Sequence, residues 1–289
     1  MTVRVGLLGT GPWAWRAHAP GLVAHPGVEL AGVWGRRPEA AESIAEHFDT
    51  RAYADADALI ADVDAVAIAL PPAVQAPLAA RAATAGRHLL LDKPLATTVA
   101  DARAVADAVA QAQVASVVFC TLRFDPGTAG WIDQQAAIGG WFTGRADWYG
   151  TVFSATGSPY ADSPWRHEKG GLWDLGPHAL SILLPVLGDV TDVFAVRGRG
   201  DTVHLTLRHT GGASSTVTLT MTAPPAAGGI SAEFRGDQGL VTFPDTLGPA
   251  PDSVGRAVDA LLAGPGHPCD VRFGLRLTEI LAAAEAALG

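Results

Sequence analysis

The spacing Gly9-Thr10-Gly11-Pro12-Trp13-Ala14, set directly behind the apolar run 3–8, constrains the fold of this chain more than any other feature. Two glycines one residue apart, where a strand pattern gives way to a helix pattern, describe a sharp turn from strand into helix. The first glycine permits the turn and the second lets backbone approach a ligand. Ala14 stands where a small residue lets the helix pack on the strand. Peptide N–H groups at the start of such a helix form a ready site for an anion. Inside a βαβ unit this arrangement holds a dinucleotide pyrophosphate, with Gly9, Thr10, Gly11, Pro12, Trp13 and Ala14 as candidate contacts.

The stretch 1–120 supplies that context. Apolar runs at 3–8, 28–34, 65–70, 88–91 and 116–120 alternate with helical patterns at 13–24, 38–47, 73–85 and 99–112, and Gly27, Gly86 and Pro71-Pro72 punctuate the connections. The alternation predicts an α/β domain over 1–120, a doubly wound parallel sheet of Rossmann type. After residue 120 a Gly/Trp-rich segment leads to one helix, and from residue 190 the period changes to two. Val203, Leu205 and Leu207 alternate with His204, Thr206 and Arg208, as Val217, Leu219 and Met221 do with Thr216, Thr218 and Thr220. Short strands at 230–235 and 239–243 flank an Asp237-Gln238-Gly239 turn, and helices follow at 253–262 and 271–288. The expected second domain, 121–289, is α+β on a mainly antiparallel, open sheet.

Charge excludes one class of partner. With 20 basic and 29 acidic residues the net charge of -9 leaves no electrostatic footprint for nucleic acid, so any phosphate site must be built locally. Cys120 and Cys269 show neither metal-ligand spacing nor a disulfide framework and suit a reducing compartment. No run approaches the ~20 apolar residues of a membrane span, and the chain enters its first strand with no charged leader. The expectation is a soluble, cytoplasmic protein that binds small molecules and no metal.

The end of the second strand bears on which dinucleotide is bound. An Asp or Glu there would bond the ribose hydroxyls of NAD, but the sequence reads Val33-Trp34-Gly35-Arg36-Arg37. With no carboxylate to repel a phosphate and two guanidiniums to clamp it, NADP is favoured over NAD, and Gly35, Arg36 and Arg37 join the cofactor contacts. A second motif lies far along the chain, Lys169-Gly170-Gly171-Leu172-Trp173-Asp174-Leu175-Gly176-Pro177-His178. The i,i+4 spacing puts Asp174 and His178 on one helix face, and the helix opening after the glycine pair would aim its dipole at the same place. The same pattern also suits an ordinary helix start with a solvated histidine.

The glycine turn, Leu91-Asp92-Lys93-Pro94 and the Gly170-Gly171 to His178 motif stand in an order that resembles the Gfo/Idh/MocA oxidoreductases, the glucose-fructose oxidoreductase and inositol dehydrogenase type. Ala69-Leu70-Pro71-Pro72 is similar to that family's nucleotide-contacting turn, Arg123-Phe124-Asp125-Pro126 to its crossover between domains, and Trp165-Arg166 to its approach to the glycine motif. The resemblance implies hydride transfer between a nicotinamide and a sugar, polyol or related carbonyl or alcohol. An inactive NADP-binding sensor on the same scaffold is the alternative. The resemblance adds Leu70, Pro71, Pro72, Asp92, Lys93 and Arg123 to the cofactor contacts and makes Lys93, Asp174 and His178 the catalytic set. Chemistry agrees, since hydride transfer at a carbinol carbon needs a group near neutral pKa at the oxygen, and histidine is that group. Lys93 can polarise a carbonyl, and Asp174 can orient either substrate hydroxyls or the imidazole.

Tyr160, Trp165, Arg166, His167 and Trp173 crowd the motif, and aromatic faces with forked donors suit a polyhydroxylated ring or sugar acid. Lys93, Trp165, Arg166, Trp173, Asp174 and His178 are thus the candidate substrate contacts. Three positions depart from the family pattern: Asp92 replaces Glu, Lys169 replaces the first of three glycines, and Gln75 stands for a histidine. The Thr216, Thr218, Thr220 face suggests a homodimer or homotetramer through the second-domain sheet.

Overall fold

The computed structural model describes residues 2–244 and 247–289. In the first unit β1 (Val3–Leu8), β2 (Val28–Trp34), β3 (Ala52–Tyr53), β4 (Ala65–Ile68), β5 (His88–Asp92) and β6 (Ser116–Phe119) make a six-stranded sheet ordered β3-β2-β1-β4-β5-β6. All its pairings are parallel. The connections run through α1 (Ala19–Ala24), α2 (Pro38–His47), α3 (Ala56–Ala61), α4 (Pro72–Thr84) and α5 (Val99–Ala112). Leu7, Leu8, Leu89, Leu91, Val117, Val118 and all of β4 have no exposed surface, which is why these strands read as unbroken apolar runs. Strand order reverses between β1 and β4, so the turn after β1 opens at the switch point where doubly wound sheets bind ligands.

Two small elements escaped the sequence pattern, because β3 has 2 residues and α3 has 6, too few for a period to show. The helix expected over 13–24 is a π-type turn, Ala14–His18, followed by α1. Pro20 explains the change: without an N–H it cannot bond to the carbonyl four residues back, and the Ala19 N–H reaches Ala14 instead.

The second unit holds α6 (Pro126–Ile138), β7 (Trp141–Tyr149), α7 (Pro164–Leu187), β8 (Val190–Arg197), β9 (Val203–His209), β10 (Ser214–Thr220), β11 (Gly229–Gly236) and β12 (Gly239–Thr242). Its sheet is ordered β12-β11-β7-β10-β9-β8, with β7 and β10 parallel and every other pair antiparallel. The expected alternation holds in β9, where Val203, Leu205 and Leu207 are buried and His204, Thr206 and Arg208 exposed. α7 lies along β7 and β10, and Trp131 of α6 stacks on Phe234 of β11. The central strand β7 was not legible as a strand. Its helix-facing positions include Gly144 and Ala146, and a Cβ on Gly144 would stand 2.9 Å from Leu187 and 3.0 Å from Phe234. Close packing there selects small residues and erases the apolar alternation.

After residue 247 the chain returns. α8 (Ala250–Leu262) and α9 (Val271–Ala287) as far as Thr278 belong with Met1–Asp125, whereas Pro126–Leu247 and Glu279–Gly289 make the second unit. A single division after residue 120 would assign α8 to the second domain. In the structure Val254, Ala257, Val258 and Leu261 join the core that includes Leu22, Phe119 and Phe124. α1 and α8 approach so closely that a Cβ on Gly21 would lie 2.6 Å from the Val254 side chain. An amphipathic stripe shows that a helix is half buried but not which core receives it.

His18 closes the π-type turn inside this core. It is fully buried, its edge meets Phe119 at 5.5 Å, and neither ring nitrogen has a hydrogen-bond partner. Burial lowers its pKa from 6.5 to about 4. Between those values the unfolded chain binds a proton that the native protein refuses, so this contribution is intact above pH 6.5 and is lost as pH falls toward 4. His18→Leu is therefore expected to flatten the acid limb of stability. In urea unfolding at about pH 7 and about pH 4.5, wild type should lose about 2 kcal/mol more than the variant. Equal losses would show that His18 does not resist protonation.

Candidate functional site

At the end of β1, Gly9 adopts φ 137° and its N–H donates to the Trp34 carbonyl at 2.8 Å. A Cβ there would collide with the Ala69 carbonyl oxygen, so no other residue fits between β1 and β4. A Cβ at Gly11 would meet nothing within 4 Å. Thr10, Gly11, Pro12 and Trp13 stay partly exposed while Ala14 is fully buried. The turn is thus an open strip of backbone anchored at both ends, the form a pyrophosphate cradle takes. Gly35 is buried against Thr10, and Arg36 and Arg37 are exposed, with Arg37 at the start of α2.

Leu70, Pro71 and Pro72 carry the chain from β4 into α4, and one turn later Gln75 is 1% exposed. Its side chain reaches the turn that follows β5. Gln75 Oε1 accepts the Asp92 N–H at 2.9 Å, and Nε2 donates to the carbonyls of Asp92, Pro94 and Leu95 at 2.8, 3.1 and 3.3 Å. This turn carries Lys93, whose own N–H donates to Asp92 Oδ1 at 2.9 Å and whose bond to Pro94 is cis. Arg123 ends the short 3-10 turn after β6. Burial and then the neighbouring Cys269 push the Cys120 thiol well above its ordinary pKa, opposed by Lys93 and Arg123. Asp92, Lys93 and Arg123 therefore all contribute to the electrostatics around Cys120.

In the second unit Gly170 has φ 63° and ψ -165°, which breaks α7 into a short first segment and a long second one. The second segment begins at Gly171, whose N–H donates to Asp201 Oδ2 at 3.3 Å. Asp201 also accepts from the hydroxyls of Thr220 and Thr222 at 2.6 and 2.7 Å and from the Met221 N–H at 2.8 Å. The helix dipole expected to face a ligand is answered by this carboxylate. Thr220, grouped with Thr216 and Thr218 in the sequence pattern, is buried against the same Asp201.

Asp174 is buried and pairs with Arg166, Nε to Oδ2 2.9 Å. The guanidinium is held between aromatic faces, 4.6 Å from the Tyr160 ring and 4.6 Å from the Trp165 ring, and reaches Ser163 Oγ at 3.3 Å. Removing one partner of such a buried pair typically costs about 3–5 kcal/mol. His178, on the same helix face, lies parallel to the Trp148 indole with centroids 6.1 Å apart. One expectation fails here. Trp173 has no exposed surface and its indole N–H donates to Glu285 Oε1 at 3.0 Å, so it is a core residue and not a substrate contact. Lys169 is committed to the same carboxylate, Nζ to Oε1 3.2 Å, with its charge 5.5 Å from the Trp173 ring.

Gln75, Trp148, Asp201 and Glu285 were not read as site residues. Gln75 carried a signal, one helical turn beyond Pro71-Pro72. Asp201 in Gly200-Asp201-Thr202 looks like any turn carboxylate, and Trp148 and Glu285 act through contacts distant in sequence.

The family profile described as "Oxidoreductase family, NAD-binding Rossmann fold" matches residues 3–119, and the GFO/IDH/MocA C-terminal domain profile matches 134–242. The dTDP-3,4-didehydro-2,6-dideoxy-alpha-D-glucose 3-reductase of Streptomyces violaceoruber is 40% identical over 107 residues, 36% of this chain and 31% of the reductase. The D-apiose dehydrogenase of Paraburkholderia graminis is 33% identical over 178 residues, 58% of this chain and 47% of that enzyme. The matches thus span about a third to a half of these curated relatives. A levoglucosan dehydrogenase solved with NADH and levoglucosan shares the fold at TM-score 0.85 and 22% identity, covering 99% of this chain and 97% of that one. No helix among the described residues is long and apolar enough to cross a membrane. With both domain profiles matched in order, this chain belongs to the GFO/IDH/MocA oxidoreductase family and carries its NAD-binding Rossmann fold.

Proposed function

We propose that the protein is a nicotinamide-dependent dehydrogenase or reductase acting on the CH–OH or C=O group of a sugar or polyol. One observation carries this reading. From residue 171 to residue 184 every residue is buried except His178, so the stretch hides its apolar face and leaves one proton-transferring ring accessible. A bound nicotinamide supplies or accepts the hydride. In the oxidative direction His178 would take the hydroxyl proton as the substrate becomes a carbonyl, and in reduction it would return a proton to the oxygen. Lys93 steadies the negative charge on the oxygen, and Asp174, through Arg166, fixes the polar surface that orients the hydroxyls. Trp165 offers a face to the ring. A sugar substrate is supported by the three relatives, whose names specify a dideoxy-sugar nucleotide, D-apiose and levoglucosan.

NADP is the proposed cofactor, with NAD the weaker one, on the strength of exposed Arg36 and Arg37 and the lack of a carboxylate at the end of β2. A homodimer is proposed through the face of the second sheet turned away from α7. Phe194 and Val196 are more than half exposed beside Thr206 and His204 on that face. Asp147 Oδ1 is buried there without a hydrogen-bond partner, although Oδ2 accepts from Arg145 at 2.6 Å.

Three outcomes check these statements. A panel of myo-inositol, D-apiose, levoglucosan and dTDP-linked keto sugars, followed by nicotinamide absorbance, should reveal turnover, and Lys93→Ala or His178→Ala should lower kcat about 100-fold. Near-normal turnover in either variant removes that residue from the reaction. Arg36→Ala with Arg37→Ala should raise the KM for NADPH about 10-fold or more and leave that for NADH nearly unchanged; a wild-type preference for NADH rejects the NADP assignment. Light scattering at about 10 μM should give twice the chain mass or a higher even multiple, and a monomer mass excludes the interface.

A further inference from the structure

We propose that Gln75 is a positioning residue for Lys93, so that its effect on turnover passes through the lysine. This rests on Lys93 taking part in the reaction proposed above. The Gln75 carboxamide meets the Asp92 peptide as a neighbouring strand would, accepting from its N–H at 2.9 Å and donating to its carbonyl at 2.8 Å. The same nitrogen then bridges to the carbonyls of Pro94 and Leu95, at 3.1 and 3.3 Å. The clamp grips the turn on both sides of Lys93. The network also fixes which way the amide points, because the Asp92 N–H requires an oxygen opposite it and the carbonyls require a donor.

Position on α4 gives the clamp its meaning. Gln75 N–H bonds to the Pro71 carbonyl at 2.9 Å, so the residue lies one turn beyond the Leu70-Pro71-Pro72 segment proposed to contact the cofactor. A buried side chain on that turn therefore sets the height of the lysine turn against the cofactor turn. A shift of about 1 Å in such a group is enough to slow a reaction severely. Few side chains can do this. Glutamate keeps the acceptor for Asp92 but sets a carboxylate against carbonyl oxygens, and methionine keeps the length with no donor and only a weak thioether acceptor.

The test uses the intact chain and the panel sugar it turns over fastest. Gln75→Met is expected to lower kcat about 10- to 100-fold and to change the cofactor KM less than about 3-fold. In a Lys93→Ala background the same substitution should change the residual turnover less than about 3-fold, since the group it positions is gone. Equal losses in both backgrounds mean a general structural role and overturn the proposal. Full turnover in Lys93→Ala alone overturns the catalytic reading of Lys93 and this inference with it, so the two failures are distinguishable. Gln75→Glu repeats the cycle if Gln75→Met does not fold. A readout without substrate is the rate at which acetic anhydride acylates Lys93, followed by peptide mass. Release of the turn should change that rate several-fold, whereas an unchanged rate in a variant of lowered melting temperature counts against the clamp.

Discussion

The contact between Gly9 and the Ala69 carbonyl governs the first unit. β1 and β4 are neighbours in the sheet, and the residues that follow them can leave in different directions only if one of them carries no side chain. Gly9 is that residue, and its φ of 137° turns the chain away from the sheet at once. The proposed pyrophosphate cradle follows from this escape. The partly exposed Thr10 and Gly11, the burial of Ala14 and the placement of Gly35 against Thr10 are all consequences of a chain that cannot continue straight.

In the second unit the comparable constraint is electrostatic. Buried or half-buried carboxylates are each committed: Asp174 to Arg166, Asp201 to the Gly171 N–H and the β10 end, Glu285 to Lys169 and Trp173. Such commitments cost desolvation and return geometric definition. They hold the kink at Gly170 and the helix behind it, and they leave the ring of His178 as the accessible polar group on that stretch.

Much of this was written in local sequence. The glycine turn, the parallel strands and the period-two strands of the second sheet follow from patterns a few residues long, and those patterns hold. What the sequence hid has two physical causes. Where packing is tightest, as at Gly144 and Ala146 of β7, side chains shrink and the apolar period disappears. Where a residue acts on a distant one, as Asp201 on the end of β10 or Glu285 on Lys169, its own neighbourhood carries no mark of it. Trp173 shows the converse error. An aromatic face so near the motif suggested a contact with a sugar ring, but adjacent helix positions face different ways, and the indole went to the core.

The return of residues 248–278 to the first unit shapes how the chain reaches its native state. A ribosome releases the parallel sheet early, yet Leu22, Phe119 and Phe124 await Val254, Val258 and Leu261, encoded more than a hundred residues later. Until α8 emerges, that part of the core stays open to water, and the intervening second unit must form between two pieces of an unfinished one. Contacts so distant along the chain delay completion and lengthen the interval in which apolar surface is exposed to other molecules. The nascent chain thus passes through a long adolescence in which its nucleotide half is laid out but not sealed.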